Sequence, residues 1–573
     1  MSEQKKIKVV LCWHMHQPHY RDGLDGKYRL PWVYLHAIKD YADMVWHLEA
    51  CPEAKVVVNF APVLLEQLDD YEKQMRAWLE SGEAMQDPLL NLVSGEVPIS
   101  KDQALREEIV MVCQRAFAPT MINIHPHFRE LVDMIQCTGA PQGVDNTCVS
   151  YLNKQYFVDL LVWYHLAWMG VSLRRTDQRV KQLMAKKSHF NKEDQRLLVE
   201  IMADAVGGII PRYRALQDQG QIEISMTPYG HPIVPLLIDF ESMRDALPDA
   251  PAPSYKGYPD GYARSKWHME HGLDVYKKYF GTKPKGVWLS EGAVSSEAVG
   301  LLQEYGIKWT ASGEGVWRHS CESSQFDLHD MNSKKALYQP LQHGSQDCTI
   351  FFRDDGLSDL IGFQYKDWHP ETAAKDFAHH MQNIANSLGE EVEEHVVTIV
   401  LDGENAWEYY PDNASPFLSE LYCKLTQHPR IQMTTFSEAL EQGAKVHNLP
   451  VLKSGSWVYG SFSTWIGEKD KNRGWDLLVE AKLCFDEVMA SGRLSESEIE
   501  QASVQLGICE GSDWFWWFGG YNPSDSVQDF DRLYRRHLAR LYEILGQKPP
   551  ESLDAPISYG GGDMENAGTM RRS

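Results

Sequence analysis

The residues of this chain that could do chemistry gather where short apolar runs end. Gly286-Val287-Trp288-Leu289-Ser290 leads straight into Glu291, after which Gly292 and small residues precede a helical pattern at Glu297, Leu301, Leu302 and Tyr305. This spacing predicts a buried strand that delivers a carboxylate at its C-terminal end, followed by a helix. Residues 396–401 do the same for Asp402, in the run Asp402-Gly403-Glu404-Asn405-Ala406-Trp407-Glu408. A carboxylate in such a place can act as a nucleophile or as a general acid and base; the plainer alternative is a strand-end acid bonding a neighbouring loop. Residues 7–13 end in His14-Met15-His16-Gln17-Pro18-His19-Tyr20. Alternation sets His14 and His16 on one side of an extended chain. Such a pair could ligate a metal, completed by Asp402 or the acids at 354–359, or could hydrogen-bond a polar ligand.

Positioning these groups requires the strands to run side by side. Seven short runs, at 7–13, 54–60, 221–225, 286–290, 307–312, 349–353 and 396–401, alternate with helical stretches, and 431–435 is a stray eighth. Alternation of this kind implies a parallel sheet, and polar residues at one set of strand ends imply a shared mouth. The third run carries Glu223 and leads to Tyr229 and His231, all three expected to face a pocket; a buried partner for a nearby His or Arg is the alternative for Glu223. Residues 70–218 form a long helical excursion without a clear strand, expected on the rim of the sheet. Beyond about 415 the texture is helical. There Glu510-Gly511-Ser512-Asp513-Trp514-Phe515-Trp516-Trp517-Phe518-Gly519 packs five aromatic residues beside an acid, either as a plug between domains or as the wall of a sugar-binding groove.

Composition narrows the partners. The 573 residues are 43% hydrophobic and 24% charged, an ordinary globular balance with room for more than one domain. A formal net charge of -24 argues against nucleic acid or an anionic membrane and suits a neutral substrate. The 10 cysteines include no CxxC pair, and no secretory leader or membrane-spanning run is visible, so a reducing, cytoplasmic setting is expected. GxGxxG and GxxxxGK[ST] are absent, which leaves a nucleotide cofactor without support. The glycine-rich tail, 556–573, is expected to be disordered.

Taken together and in order, the polar blocks resemble those of glycoside hydrolase family 57, the α-amylase and amylopullulanase-like group. They are HMHQPHY (14–20), GQIEISMTPYGHP (220–232), GVWLSEGAVS (286–295), FFRDDGLSDLIGFQY (351–365), LDGENAWEYYP (401–411), STWIGEKDKNRGWDLL (463–478) and EGSDWFWWFG (510–519). The resemblance implies an α/β fold: a distorted (β/α)7 barrel over residues 1–415, with the helical insertion at about 70–218, and a mainly helical domain at 416–555 that completes the cleft. It implies retaining action on α-1,4-glucans by double displacement, without a nicotinamide or other organic cofactor, and no residue is assigned as a metal ligand. Glu291 matches the nucleophile and Asp402 the general acid/base. His14, His16, Gln17, Glu223, His231, Trp288, Asp354, Trp407, Trp465, Asp513 and Trp514 fall in blocks expected to bind substrate. One departure is Ala311-Ser312-Gly313-Glu314, where relatives carry an Asp and Glu314 could substitute. Hydrolysis is the expected outcome. The alternatives are a 4-α-glucanotransferase or branching enzyme of the same family, a metal-dependent hydrolase or deacetylase built on His14 and His16, and a non-catalytic glucan-binding protein.

Overall fold

The computed structural model describes residues 4–136, 146–324 and 334–562. Nine strands lie among the described residues: β1 Ile7–Met15, β2 Val56–Phe60, β3 Ile222–Met226, β4 Trp309–Ser312, β5 Leu341–His343, β6 Thr349–Phe352, β7 Val396–Asp402, β8 Ile431–Met433 and β9 His447–Leu449. They form two sheets, one ordered β3-β2-β1-β7 with β8 added on β1, the other β4-β6-β5-β9. Every pairing among β1, β2, β3, β7 and β8 is parallel, as is β4 with β6. Single parallel bridges join the sheets: Met226 with Val287, Gly286 with Trp309, and Arg353 with Thr398. The stretch before Glu291 is thus a link of two bridged residues rather than the full strand expected. Leu341–His343, which pairs antiparallel with β6, and His447–Leu449 were not anticipated.

Register explains where the polar residues end up. His14 lies opposite both Asn59 and Asp402, and Asn59 lies opposite Ser225. Side chains alternate along a strand, so one face carries Val10, Cys12 and His14 on β1, Val57 and Asn59 on β2, and Val396, Val400 and Asp402 on β7. The apolar members of this face, with Trp309, Ala311, Phe351 and Phe436, form their own core cluster, separate from the larger one. Each strand therefore buries an apolar base on this face and presents a polar residue at its C-terminal end.

Glu223 sits opposite Val57, one layer below Asn59 and Ser225. Its carboxylate accepts from Trp309 Nε1 (2.7 Å), Ser437 N (3.0 Å) and Ser437 Oγ (2.6 Å), so it locks the base of the strands instead of facing a ligand. Gly286 makes this possible: a Cβ there would fall 1.8 Å from the Trp309 ring.

The regular elements described in the excursion after β2 are all helices, from Pro62–Ser81 to Lys192–Asp218, joined by short loops. Its helix Lys154–Trp168 is buried on every side from Tyr156 onward, so part of the insertion is core. Beyond Ser415–Gln427, β8, Phe436–Glu441 and β9, the C-terminal region is built of helices Lys469–Ala490, Glu496–Cys509, Ser512–Trp517 and Ser524–Ile544. The described part of the tail is docked, with Ile557 N bonded to Asp531 Oδ1 at 2.7 Å and Ser558 buried; residues 563–573 lie outside the described residues. No described helix is long and apolar enough to cross a membrane.

Candidate active site

Glu291, Asp402, His14, His16, Gln17, His231 and Asp513 all line one cavity of about 1030 Å³. Glu291 reaches it through a sharp backbone turn. Its φ of 60° and ψ of 20° are left-handed, a conformation a residue with a side chain adopts at a cost of order 1–3 kcal/mol. Neighbouring groups hold it there. Trp457 N donates to Glu291 O at 3.0 Å, and Ser312 Oγ donates to Gly292 O at 2.6 Å. The carboxylate itself accepts from Trp457 Nε1 at 2.9 Å. The guanidinium of Arg353 lies 5.0 Å over the Trp457 ring and is fixed by Asp355 and by Val400 O.

Asp402 stands in a different environment. Burial raises its pKa to about 6; the Asn405 amide at 3.0 Å, His16 and Arg353 oppose the rise, and Asp513 adds to it. Asp402 therefore holds its proton to higher pH than an ordinary carboxyl. Beside it Glu404, buried and near Asp402, is pushed well above the usual range and accepts from Gln17 Nε2 at 3.1 Å.

The three histidines form a directed chain. Asn59 uses its amide nitrogen to donate to Ser225 Oγ (2.9 Å), so its carbonyl faces His14 Nδ1 (2.8 Å), which must carry the hydrogen. His14 Nε2 is then an acceptor, and His231 Nε2 donates to it across 3.2 Å. His231 Nδ1 in turn accepts from Ser512 Oγ at 2.8 Å. Burial, reinforced by the neighbouring imidazoles, drives the pKa values of His14 and His231 far down, so both rings are neutral as this chain requires. Both spend their two nitrogens on protein partners. His16 stacks on His231 at 3.8 Å and bonds Asp513 through Nε2 (2.9 and 3.0 Å), leaving a buried Nδ1 with no hydrogen-bond partner among the described residues. Ligand atoms of His16, His231 and Asp513 lie within 4.8 Å of one another, spacing that could hold a cation.

Several expected binding residues sit behind the cavity wall. Trp288 is buried and packs edge-on against His14 (4.6 Å) and Trp457 (4.8 Å). Trp407, Trp465 and Trp514 are fully buried, and their rings pack in the core rather than lining the cavity; the Nε1 atoms of Trp407 and Trp514 donate to Gly403 O and Ile508 O. Asp354 caps the helix Asp355–Asp359 and binds Tyr338 Oη at 2.8 Å, while Lys334 joins it to Glu314. Neither Asp354 nor Glu314 lines the cavity.

The sequence reading missed Trp457, Arg353, Asn59, Asn405 and the support of Asp513. That support is Glu510, which accepts from the Arg264 guanidinium (2.7 to 3.1 Å), His268 Nε2 (2.8 Å) and Tyr258 Oη (2.6 Å). His268 Nδ1 accepts from Gly230 N, one residue before His231. The loop and the C-terminal region meet so closely that a Cβ on Gly230 would fall 2.2 Å from Gly507 O. Alternation could have flagged Asn59, on the face and level of His14. Nothing local marks Trp457.

Two carboxyl groups, Glu291 and Asp402, thus face one cavity from different surroundings, and the sequence places the chain among known enzymes. Residues 10–451 match the profile of glycosyl hydrolase family 57, and the chain belongs to that family. It is 22% identical over 372 residues to the 1,4-alpha-glucan branching enzyme of Thermococcus kodakarensis, covering 54% of this chain and 52% of the relative. The match thus spans about half the length of that curated relative. Solved structures share the fold: a branching enzyme of the family from Thermococcus kodakaraensis (TM-score 0.58, 17% identity, 94% of this chain and 90% of that one) and another from Pyrococcus horikoshii (0.55, 16%, 97% and 100%). The alpha-amylase AmyC of Thermotoga maritima is also similar (0.54, 13%, 94% and 93%).

Proposed function

We propose that this protein is a retaining α-glucan-active enzyme that transfers a glucan chain to a sugar acceptor, as branching enzymes and 4-α-glucanotransferases do. The observation that carries the reading is the sharing of one cavity by Glu291 and Asp402 in unlike environments. In this account the ring of parallel pairings and bridges, β1-β2-β3, 286–287, β4-β6-β7, is the distorted (β/α)7 barrel, and the helical region after about 415 completes the cleft. A cytoplasmic setting belongs to the same proposal, in keeping with described cysteines that are all free.

Glu291 attacks the anomeric carbon while Asp402, protonated, gives its proton to the departing oxygen. The Trp457 indole aims the Glu291 carboxylate. Formation of the ester removes the charge on Glu291, which makes Asp402 more acidic and readies it to accept a proton from the incoming hydroxyl. If that hydroxyl belongs to a sugar, a chain is transferred; if to water, it is hydrolysed. Transfer is preferred to α-amylase or amylopullulanase-type hydrolysis because the relatives named above include two branching enzymes, and the amylase likeness keeps hydrolysis as the second reading. Incubation with maltoheptaose followed by sizing of the products tests it: products longer than the substrate, or branched, are expected, and exclusively shorter ones would overturn the transfer reading.

A further inference from the structure

The same cavity is lined by His36, Phe117, Lys366, Glu408 and Tyr409, to which the account so far gives no role. These residues form a connected group. His36 closes the helix Trp32–His36, and the next five residues, Ala37–Tyr41, wind as a π-helix, a widened turn often found at functional sites. His36 Nδ1 bonds Asp40 Oδ2 at 2.7 Å. Asp40 is fully buried and ion-paired at 2.5 Å with Lys39, which is also buried, bonds Asn413 Oδ1 at 3.2 Å and lies 5.4 Å over the Trp168 ring. Asp40 thus fixes the imidazole through one nitrogen, and Nε2 is left without a protein partner among the described residues.

Glu408 belongs to the short helix Trp407–Tyr409 just beyond Asp402. Burial raises its pKa, while Lys39 and His36 counter the rise. Phe117 and Tyr409 hold their rings 4.7 Å apart, and Lys366 Nζ sits 5.1 Å over Tyr409. Hydrogen-bonding groups fixed from behind, set beside apolar ring faces, match a sugar, which carries hydroxyls on its rim and C–H groups on its faces.

Resting on the transfer reading above, we propose that this arm of the cavity binds the acceptor α-glucan, with His36 and Glu408 holding its hydroxyls and Phe117 and Tyr409 its ring faces. Once the glycosyl ester on Glu291 has formed, an acceptor hydroxyl oxygen bonds to the anomeric carbon. The bond from that carbon to the Glu291 oxygen breaks, and the hydroxyl proton passes to Asp402. Water entering instead completes hydrolysis by the same exchange of bonds, so occupancy of the arm sets the partition between the two outcomes.

The test is that partition. With α-maltosyl fluoride as donor and maltotetraose as added acceptor, the ratio of transferred to hydrolysed maltosyl is measured for the wild type, His36→Ala, Glu408→Gln and Tyr409→Ala. Both products arise from one intermediate, so a variant that merely slows donor cleavage leaves the ratio unchanged. Loss of a hydrogen bond to a charged or ion-paired group is expected to lower the ratio by about tenfold. Ratios within about twofold of wild type in every variant that still releases fluoride would overturn the proposal. A wild type that makes no transfer product at any acceptor concentration would instead remove the transfer reading on which the arm rests. His36 lies on a different segment from Glu408 and Tyr409, so a failure to fold on either segment leaves the other to decide.

Discussion

Replacing Glu510 by Gln tests whether the C-terminal region is pinned to the strands by charge. Glu510 is fully buried and meets Arg264, His268 and Tyr258. Burial alone would raise its pKa, but Arg264 and His268 outweigh that and bring it to about 2 from 4.5. At about 1.4 kcal/mol per unit this corresponds to roughly 3 kcal/mol of stability. A carboxyl depressed in the folded state contributes fully above its unfolded value, and the contribution is lost as pH falls from about 4.5 to about 2. The variant also leaves the Arg264 guanidinium buried without its counter-charge, a change that costs about 3–5 kcal/mol in comparable pairs. Urea unfolding should therefore show Glu510→Gln less stable by about 3–5 kcal/mol at pH 7, with the gap closing toward pH 2. Ser512 and Asp513 follow in the chain and contact His231 and His16, so kcat/KM should fall as well. Equal stability at pH 7, or a gap independent of pH, would show that the Glu510 charge does not pin the C-terminal region.

Three further outcomes follow from the same geometry. Asp402 is raised to about 6 by burial, so its ionisation costs stability as pH rises from about 4 through 6, up to about 3 kcal/mol; Asp402→Asn should melt higher than wild type at pH 8 and no higher at pH 4, and should lose less activity on α-maltosyl fluoride than on maltoheptaose. Trp457→Phe removes the 2.9 Å donor to Glu291 and should lower kcat/KM by about 10–100-fold, measured on the same fluoride, with little change in melting temperature. Gly286→Ala drives a Cβ into the Trp309 ring and should cost about 1–3 kcal/mol in a denaturant titration, through strain at the base of the strands rather than at the site.

The strand ends were legible because the physics there is local. An apolar run closed by Glu291, by Asp402 or by His14 and His16 shows its period and its stop in a few residues, and the cavity gathers those four. Depth along a strand was not legible: Glu223 shares a face with Ser225, and only register against β2 sets it one layer too low to meet a ligand. Trp407, Trp465 and Trp514 misled because an aromatic ring looks the same in sequence whether it lines a groove or fills a core. Trp457 and the supports of Asp513 come from segments without strand periodicity, brought in by long-range packing. The three-residue strands Leu341–His343 and His447–Leu449 are too short to show a period at all.

In the proposed mechanism Glu291 becomes covalently bonded to the sugar. A 5-fluoro α-glucosyl fluoride carries a good leaving group and a ring fluorine that slows the second displacement, so the ester should accumulate. Intact-mass measurement followed by peptide mapping should find one glycosyl label, on the peptide bearing Glu291, and none in Glu291→Gln. A label on any other residue, or turnover of the reagent with inversion at the anomeric carbon, would contradict the account.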